Sequence, residues 1–441
     1  MPVDLSASGL PSAYPTYKRR FVPWLVGWIL CCAMGVVLTL LLWPTHTYTR
    51  TPLFWLCLVG VSNVVFCFAL GVSRSLYEVT YRQARYRNQH RQAWLDDRVR
   101  YAQQPLRVLG AGYCLPFAQT SLAEAVAGTM PLITSQPPRS GSGLLSHSRF
   151  KDDDPRIDAS ENAWLESASD ADTILDDVAP SPTLEHALPR DRVPPVVRIM
   201  EHALSPLSSV LLALSRQGSA HAPAVRVTVS PQNADERVQQ VRQALQHASL
   251  PAWECRAVPA DDGLMLADAW LDLDEKRPLL MIAAEWYDTP PADSTEGAVA
   301  VLLAPEALSL PESVTACGTL HRPVNGAFDA LSDVLANAAL WGNTNATSVS
   351  HAWISGLETS RDSTLLAALE GASFTAVKTL DAQRRPDPMV GRSGAMGGWL
   401  SIAAAVESGA TASHLILHVA QTVQAAILYV NPPASHDNFH E

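Results

Sequence analysis

From Phe21 to Trp43 the chain carries no charged side chain, and from Pro52 to Ser73 it again carries none. Each run reaches the roughly 20 residues that a helix needs to cross a bilayer. The first run is too long for a cleaved signal peptide, and the second follows it too closely. With Pro44 to Thr51 between them, the pattern predicts a transmembrane hairpin over 21–74, with Trp43 and Trp55 at its ends, where aromatic rings favour the interface. Ser75 to about Gln104 holds neither Pro nor Gly and reads as a helix continuing the second run. Tyr77, Tyr81 and Trp94 mark its packing stripe.

Beyond this helix, Leu106 to Cys114 reads as a strand ending in a glycine turn, and Ser121 to Ala127 as a short helix. Gly110-Ala111-Gly112 lacks the third glycine and the acidic partner of a dinucleotide fingerprint, so a tight turn is expected there. Met130 to Pro195 is rich in Ser, Pro, Asp and Gly and sustains no period of 2 or 3.6, which predicts partial disorder with local order around Trp164. From there helical and strand patterns alternate. Helices are expected over Val196–Ser215, Asn233–Ala248, Asp262–Asp272, Gly326–Trp341 and Asp362–Leu369. Strands are expected over Ala224–Ser230, Trp253–Val258, Arg277–Trp286, Glu296–Ala304 and Phe374–Leu380. Alternation of this kind implies an α/β sheet between helices.

The C-terminal part adds a sharper signal. Gly391, Gly394, Gly397 and Gly398 place four glycines in eight residues ahead of the apolar run Trp399 to Ala405. A tight loop feeding a buried helix follows, because glycine permits positive φ and close backbone approach. Ser413–Val419 and Gln424–Val430 are β-rich runs separated by Ala420 to Val423, which fits an antiparallel pair.

A net charge of −11 argues against nucleic acid as a partner, since phosphate binding needs a basic surface. The seven cysteines form no Cys-x-x-Cys, so neither a zinc site nor a disulfide framework is expected. Lys18, Arg19 and Arg20 precede the hairpin, and Arg74, Arg82, Arg85, Arg87, Arg91, Arg98 and Arg100 follow it. The connector has Arg50. The positive-inside rule then puts both termini in the cytoplasm, with two spans in the inner membrane and the lipid bilayer as a partner.

The order of glycine loop, Ala-rich helix, strand, short turn and strand resembles the C-terminal end of β-ketoacyl synthases and other thiolase-fold enzymes. The strand pair Leu279–Trp286 and Glu296–Leu303 resembles a second passage of theirs. The resemblance implies a thiolase-like layered α/β domain over 196–441. The rest of the chain then divides into a tail over 1–20, the hairpin over 21–74, a juxtamembrane helix with a first strand–helix unit over 75–129, and the segment 130–195.

It also implies a nucleophilic Cys at a helix start, where the dipole lowers the thiol pKa, with two His beside it. The stretch where the nucleophile belongs reads Ala260-Asp261-Asp262-Gly263. Cys255 lies nearby but in a strand pattern, as a packed thiol would. Arg392 stands where the family has a histidine, and His351 is the candidate for the other. The turn reads Ala420-Gln421-Thr422-Val423, without the family's glycines. The expectation is a catalytically empty pocket marked by His351, Gly391, Arg392, Gly394 and Gln421. Arg392 would bind a ligand anion or fill the pocket against a carboxylate such as Asp362. His414 and His418 would share a strand face as an ordinary pair. No cofactor and no metal are implied.

A bilayer-anchored protein of this kind resembles the type VI secretion lipase adaptor family, on Val108-Leu109-Gly110-Ala111-Gly112 and on Ser294-Thr295-Glu296-Gly297-Ala298-Val299. That resemblance implies an adaptor or chaperone that holds an effector in the cytoplasm and delivers it to the VgrG spike. The two alternatives are a scaffold self-associating as a homodimer, and an acyl-processing enzyme using Cys255 or Cys317.

Overall fold

The structure, a computed structural model, describes residues 9–15, 21–44, 51–117, 120–128, 131–151, 154, 156–157, 193–273 and 276–432. Lys18, Arg19, Arg20, Arg50 and Trp164 lie outside the described residues. So do most of the tail and connector, and 158–192 of the Ser/Asp/Pro-rich segment. The chain forms two compact units that divide between Arg98 and Val99.

The first unit contains α1 (Phe21–Leu42) and α2 (Pro52–Ala102), which runs on past the division. α2 is the single long helix expected from Pro52 to about Gln104, with one wide π turn at Leu56–Val61. Apolar side chains of both helices face outward, including Phe21, Leu41, Val64 and Phe68. The hairpin closes on small residues: a Cβ on Gly35 would lie 1.7 Å from Ser62 Oγ. Trp28 Nε1 donates to Asn63 Oδ1 at 2.9 Å. Residues 9–15 lie along α2 beyond its apolar part, where Asn88 exchanges two hydrogen bonds with the Ser12 backbone.

The second unit is built on an eleven-stranded sheet. Its principal strands are β1 (Leu106–Cys114), β2 (Ala224–Val229), β3 (Cys255–Pro259), β4 (Leu279–Glu285), β5 (Gly297–Pro305), β6 (Gly318–Leu320), β7 (His351–Ser355), β8 (Gln383–Arg384), β9 (Ser413–Val419) and β10 (Val423–Val430). Their spatial order is β8-β7-β9-β10-β6-β1-β5-β4-β2-β3. This is one five-strand pattern used twice. In each half the outer strands pair in parallel, and the last two pairings, toward the centre, are antiparallel. The halves join through β1 and β6.

The helices follow the same repeat. α4 (Pro195–Leu204), α5 (Ser208–Ser215), α6 (Ala234–His247) and α7 (Met265–Asp272) serve the first half. α8 (Leu331–Trp341), α9 (Asp362–Gly371) and α10 (Gly397–Glu407) serve the second, while α3 (Leu122–Ala127) is the short helix after β1. α3 starts at the capping box of Ser121 and Glu124. α7 and α10 share one buried cluster with strands of both halves, including Trp270, Trp399, Val301 and Ile416. α4, α5 and α6 pack on the opposite face of the first half. Among the described residues, three helices are long and apolar enough to cross a membrane: α1, α2 and the run Pro195–Ser215. The last buries Val197, Met200, Leu204 and Leu211 against the sheet.

Several expectations need correction. The boundary at 196 falls inside the folded body, because β1 pairs with β5 on one side and β6 on the other. Gly110 and Gly112 sit within β1 instead of ending it. A Cβ on Gly112 would lie 2.3 Å from Ala203 O, so the glycine lets α4 lie directly on the strand. The Val196–Ser215 helix breaks at Ser205–Leu207 around Pro206. The helix expected from Gly326 begins at Leu331, and Val324–Gly326 pairs with β10. Phe374–Leu380 is no strand: its apolar residues bury Phe374 and Val377 from 3₁₀ turns. Part of the 130–195 segment is ordered, for Thr134–Gln136, Leu145–Ser148 and Ser294–Thr295 form a small sheet of their own.

Removing residues 1–74 should leave a protein that stays in the supernatant after ultracentrifugation of lysed cells. Pelleting with membranes would place the anchor outside the hairpin.

Candidate functional site

The site where a thiolase-like nucleophile would stand is the start of α7. The chain leaves β3 at Pro259, makes one 3₁₀ turn over Ala260–Asp262, and reverses at Gly263 with φ 46° and ψ −126°. An L side chain rarely adopts this conformation. The buried amide of Gln424, from β10 of the other half, fills the space above it. Leu264 N donates to Gln424 Oε1 at 2.7 Å. Gln424 Nε2 donates to Asp261 O at 3.3 Å and Asp262 O at 3.2 Å. A Cβ on Gly263 would lie 2.5 Å from that Oε1. The position therefore has no room for a side chain while Gln424 keeps this place.

Beside it lie Ser355, the last residue of β7, and His418 of β9. Their Oγ and Nδ1 are 3.0 Å apart, and both side chains are buried. The first residues of α10 close over them. A Cβ on Gly397 would lie 2.8 Å from His418 Cε1, and one on Gly398 would lie 2.9 Å from Leu264 Cγ. The glycines expected to press a helix onto a neighbour thus press it onto this pair and onto the start of α7. Burial holds the His418 imidazole down to about 4, so it is neutral near pH 7.

Asp387 stands next to this pair, accepting from Gly356 N. Its Oδ1 is buried with no hydrogen-bond partner among the described residues. Burial raises its pKa to about 6, against the lowering effects of the Gly356 bond and of the Arg392 charge. At the head of α10, Ala395 N donates to Glu285 Oε1 at 3.0 Å. Burial raises the Glu285 pKa, although that bond, Tyr287 and Arg237 favour the charged form.

Of the residues singled out from sequence, Gln421 and Gly394 reach this region. Gln421 Nε2 lies 3.3 Å from Asp261 Oδ2, and Gly394 touches the Glu285 carboxylate. Gly391 packs on the Ser294 carbonyl. Arg392 is exposed, although its charge reaches Asp387; its backbone bonds to Asp293 and Thr295, and Asp362 pairs with Arg385 at 2.7 Å instead. His351 stands at the far end of β7 from Ser355, roughly 13 Å away at strand spacing. It stacks on His414 with ring centroids 5.3 Å apart. His414 in turn binds Trp353 Nε1 and Ala410 O, so it and His418 serve different partners.

Ser355, Asp387 and Gln424 were not singled out. A polar residue inside the apolar run Val423 to Val430 was the available signal for Gln424. Cys255 lies in β3 with its side chain in the outer cluster, and Cys317 donates its thiol to Val108 O. Burial raises both thiol pKa values, Cys317 to about 11, which keeps them protonated.

Ketosynthases are among the solved structures this fold resembles. The ketosynthase from module 6 of the bacillaene synthase of Bacillus subtilis 168 matches with a TM-score of 0.51 at 12% identity, over 75% of this chain and 71% of that one. The KS7 ketosynthase domain of OzmH, from oxazolomycin synthesis in Streptomyces albus JA3453, matches with a TM-score of 0.51 at 11% identity, over 75% of each chain. The fold is thiolase-like. No model of a known protein family matches the chain, and no curated protein matches it.

Three substitutions probe this site. Asp387 is harder to ionise folded (about 6) than unfolded (near 3.8), so it lowers stability as pH rises between those values and leaves it unaffected below. Asp387→Asn should therefore raise thermal stability at pH 7.5, by at most about 3 kcal/mol, and change it little at pH 4. Equal melting shifts at both pH values would contradict this. Gly263→Ala should destabilise by about 2 kcal/mol through backbone strain and the Gln424 contact. Combined with Gln424→Ala it should cost less than the sum of the two single variants, as calorimetry would show. Strict additivity would mean that the two sites do not touch.

Proposed function

We propose that this protein is a membrane-anchored adaptor whose thiolase-like body performs no condensation and binds a protein effector. The observation carrying this reading is the Gln424 amide seated over Gly263, in the place a nucleophile needs. A condensing enzyme requires a thiolate at that helix start. The buried thiols of Cys255 and Cys317 sit elsewhere, as weak acids. What supports the membrane anchor is the outward apolar surface of α1 and of the first part of α2. The contact of residues 9–15 with α2 supports placing both sides of the hairpin's open end in the cytoplasm. The effector and the VgrG spike as partners come from the resemblance to the type VI lipase adaptors. The loop Gly391–Ala395 is then structural: it seats α10 and carries no catalytic group.

The test is an affinity pull-down of the full-length protein from its native membranes, read by mass spectrometry. A lipase-like effector or a VgrG spike is the expected companion. Recovery of acyl carrier protein would turn the reading toward an enzyme. In the same cells His351→Ala and Cys255→Ala should leave effector export intact, and loss of export with either stably folded variant would count against the adaptor reading.

A further inference from the structure

Between α1 and α2 the hairpin leaves a groove of about 430 Å³, walled by Cys31, Gly35 and Thr39 on α1 and by Cys57, Ser62 and Val65 on α2. The π turn at Leu56–Val61 carries Cys57 in that wall, where the regular helical spacing is interrupted. The two hydroxyls are used within their own helices. Thr39 Oγ1 donates to Gly35 O at 2.7 Å, and Ser62 Oγ to Leu58 O at 3.3 Å. The free thiols behave as small apolar groups. The groove therefore presents an apolar surface. Its rim is apolar as well, for Leu38, Leu42, Val61 and Val65 line it and are each at least half exposed. In the membrane reading of the hairpin such a rim opens to hydrocarbon, not to water.

Its dimensions fit one kind of occupant. Cys31 and Trp43 bound the groove along α1 and lie twelve positions apart, about 18 Å on a helix. Half of a bilayer's roughly 30 Å hydrocarbon core, one leaflet, is about 15 Å. Spread evenly along about 18 Å, the volume makes a channel about 5–6 Å across, half of the roughly 10–12 Å that a helix fills with its side chains. An extended chain fits and a third helix does not. The groove also has a direction. Trp43 lines the end next to the connector, its ring edge-on to Phe54 at 5.0 Å, where aromatic rings favour the interface. The other end lies deep in the span. Helices in lipid associate without a hydrophobic driving force, so an empty groove would forfeit packing contacts along both walls.

We propose that this groove holds one acyl chain of a phospholipid from the surrounding bilayer, with the head group at the Trp43 end and the chain end toward Cys31. The chain fills the seam between the two helices and so fixes their spacing. The proposal rests on the membrane-anchor reading and is independent of any effector.

The experiment purifies the full-length protein in a mild detergent, exchanges it into fresh detergent and weighs it by native mass spectrometry. One phospholipid per chain should survive the exchange. Cys57→Phe and Cys31→Phe each place a ring in the groove, from opposite walls. Either should lower the retained lipid at least about fivefold, the smallest effect of overpacking a filled site. Cys67→Phe adds the same ring at an exposed position of α2 and should leave retention unchanged. In the unaltered protein, stripping the lipid should quicken alkylation of Cys31 and Cys57 by a membrane-permeant maleimide and leave Cys67 as it was. No change at the two groove thiols overturns the proposal without any variant. Equal loss from all three variants makes the lipid a non-specific coat and overturns it too. So does a pair of chains without lipid, since a second copy then fills the groove. A chain that carries no lipid yet still needs detergent removes this site and keeps the anchor. A full-length chain that stays in solution without detergent removes the anchor, and the site with it.

Discussion

A buried amide ties the two halves of the body together. Gln424 rises from β10 and makes three hydrogen bonds to the turn that opens α7. A buried amide without partners costs on the order of 1–3 kcal/mol per lost bond, so the side chain and the turn specify each other. The carbonyls of Asp261 and Asp262 point inward to meet it, and Leu264 N completes the set. That arrangement requires φ 46° at position 263 and leaves no volume for a Cβ, which is why the residue is glycine. Next to Gln424 in register is His418, so the same strand pair also places the imidazole against Ser355.

The excursion over residues 131–157 is tied down by a second buried polar group. Glu296 lies at the head of β5, 1% exposed, and accepts from Phe150 N at 3.1 Å while pairing with both terminal nitrogens of Arg139. The Arg139 guanidinium lies 3.8 Å from the centre of the Trp286 ring. A carboxylate this deep would be costly without such partners; Tyr287 N also donates to it, at 3.4 Å, and the others come from a stretch with little regular structure. Order there comes from this charge together with the small sheet of Thr134–Gln136, Leu145–Ser148 and Ser294–Thr295, not from periodicity. This is why the sequence pattern suggested disorder for residues that are in fact fixed.

Much of the fold was legible because strands and helices here obey their periods. The pairs β4/β5 and β9/β10, the amphipathic α6 and the loop into α10 all stand close to where hydrophobic spacing put them. What escaped was governed by contacts across long separations. The repeat of five strands is set by pairings across long separations, so β1 read as an outlier to a domain beginning at 196. Its glycines looked like a turn, yet Gly112 exists for the approach of α4, some ninety positions later. His351 was drawn in by residue type, but register decides which end of β7 meets β9 at the site, and that end carries Ser355. Arg392 failed for a related reason: its loop bonds outward through backbone to Asp293 and Thr295, which turns the side chain to solvent.

The repeat gives the two central helices a common design. α7 begins at a turn capped by Gln424, a residue of the second half. α10 begins after a turn whose Ala395 N is capped by Glu285, a residue of the first half. Each half thus supplies the polar side chain that closes the other half's helix start, where backbone N–H groups would otherwise go unsatisfied. In an enzyme such starts are kept open, since free N–H groups and the helix dipole are what activate a nucleophile or hold an anion. Here both are occupied from within. The backbone donors at both helix starts thereby join the seam between the halves.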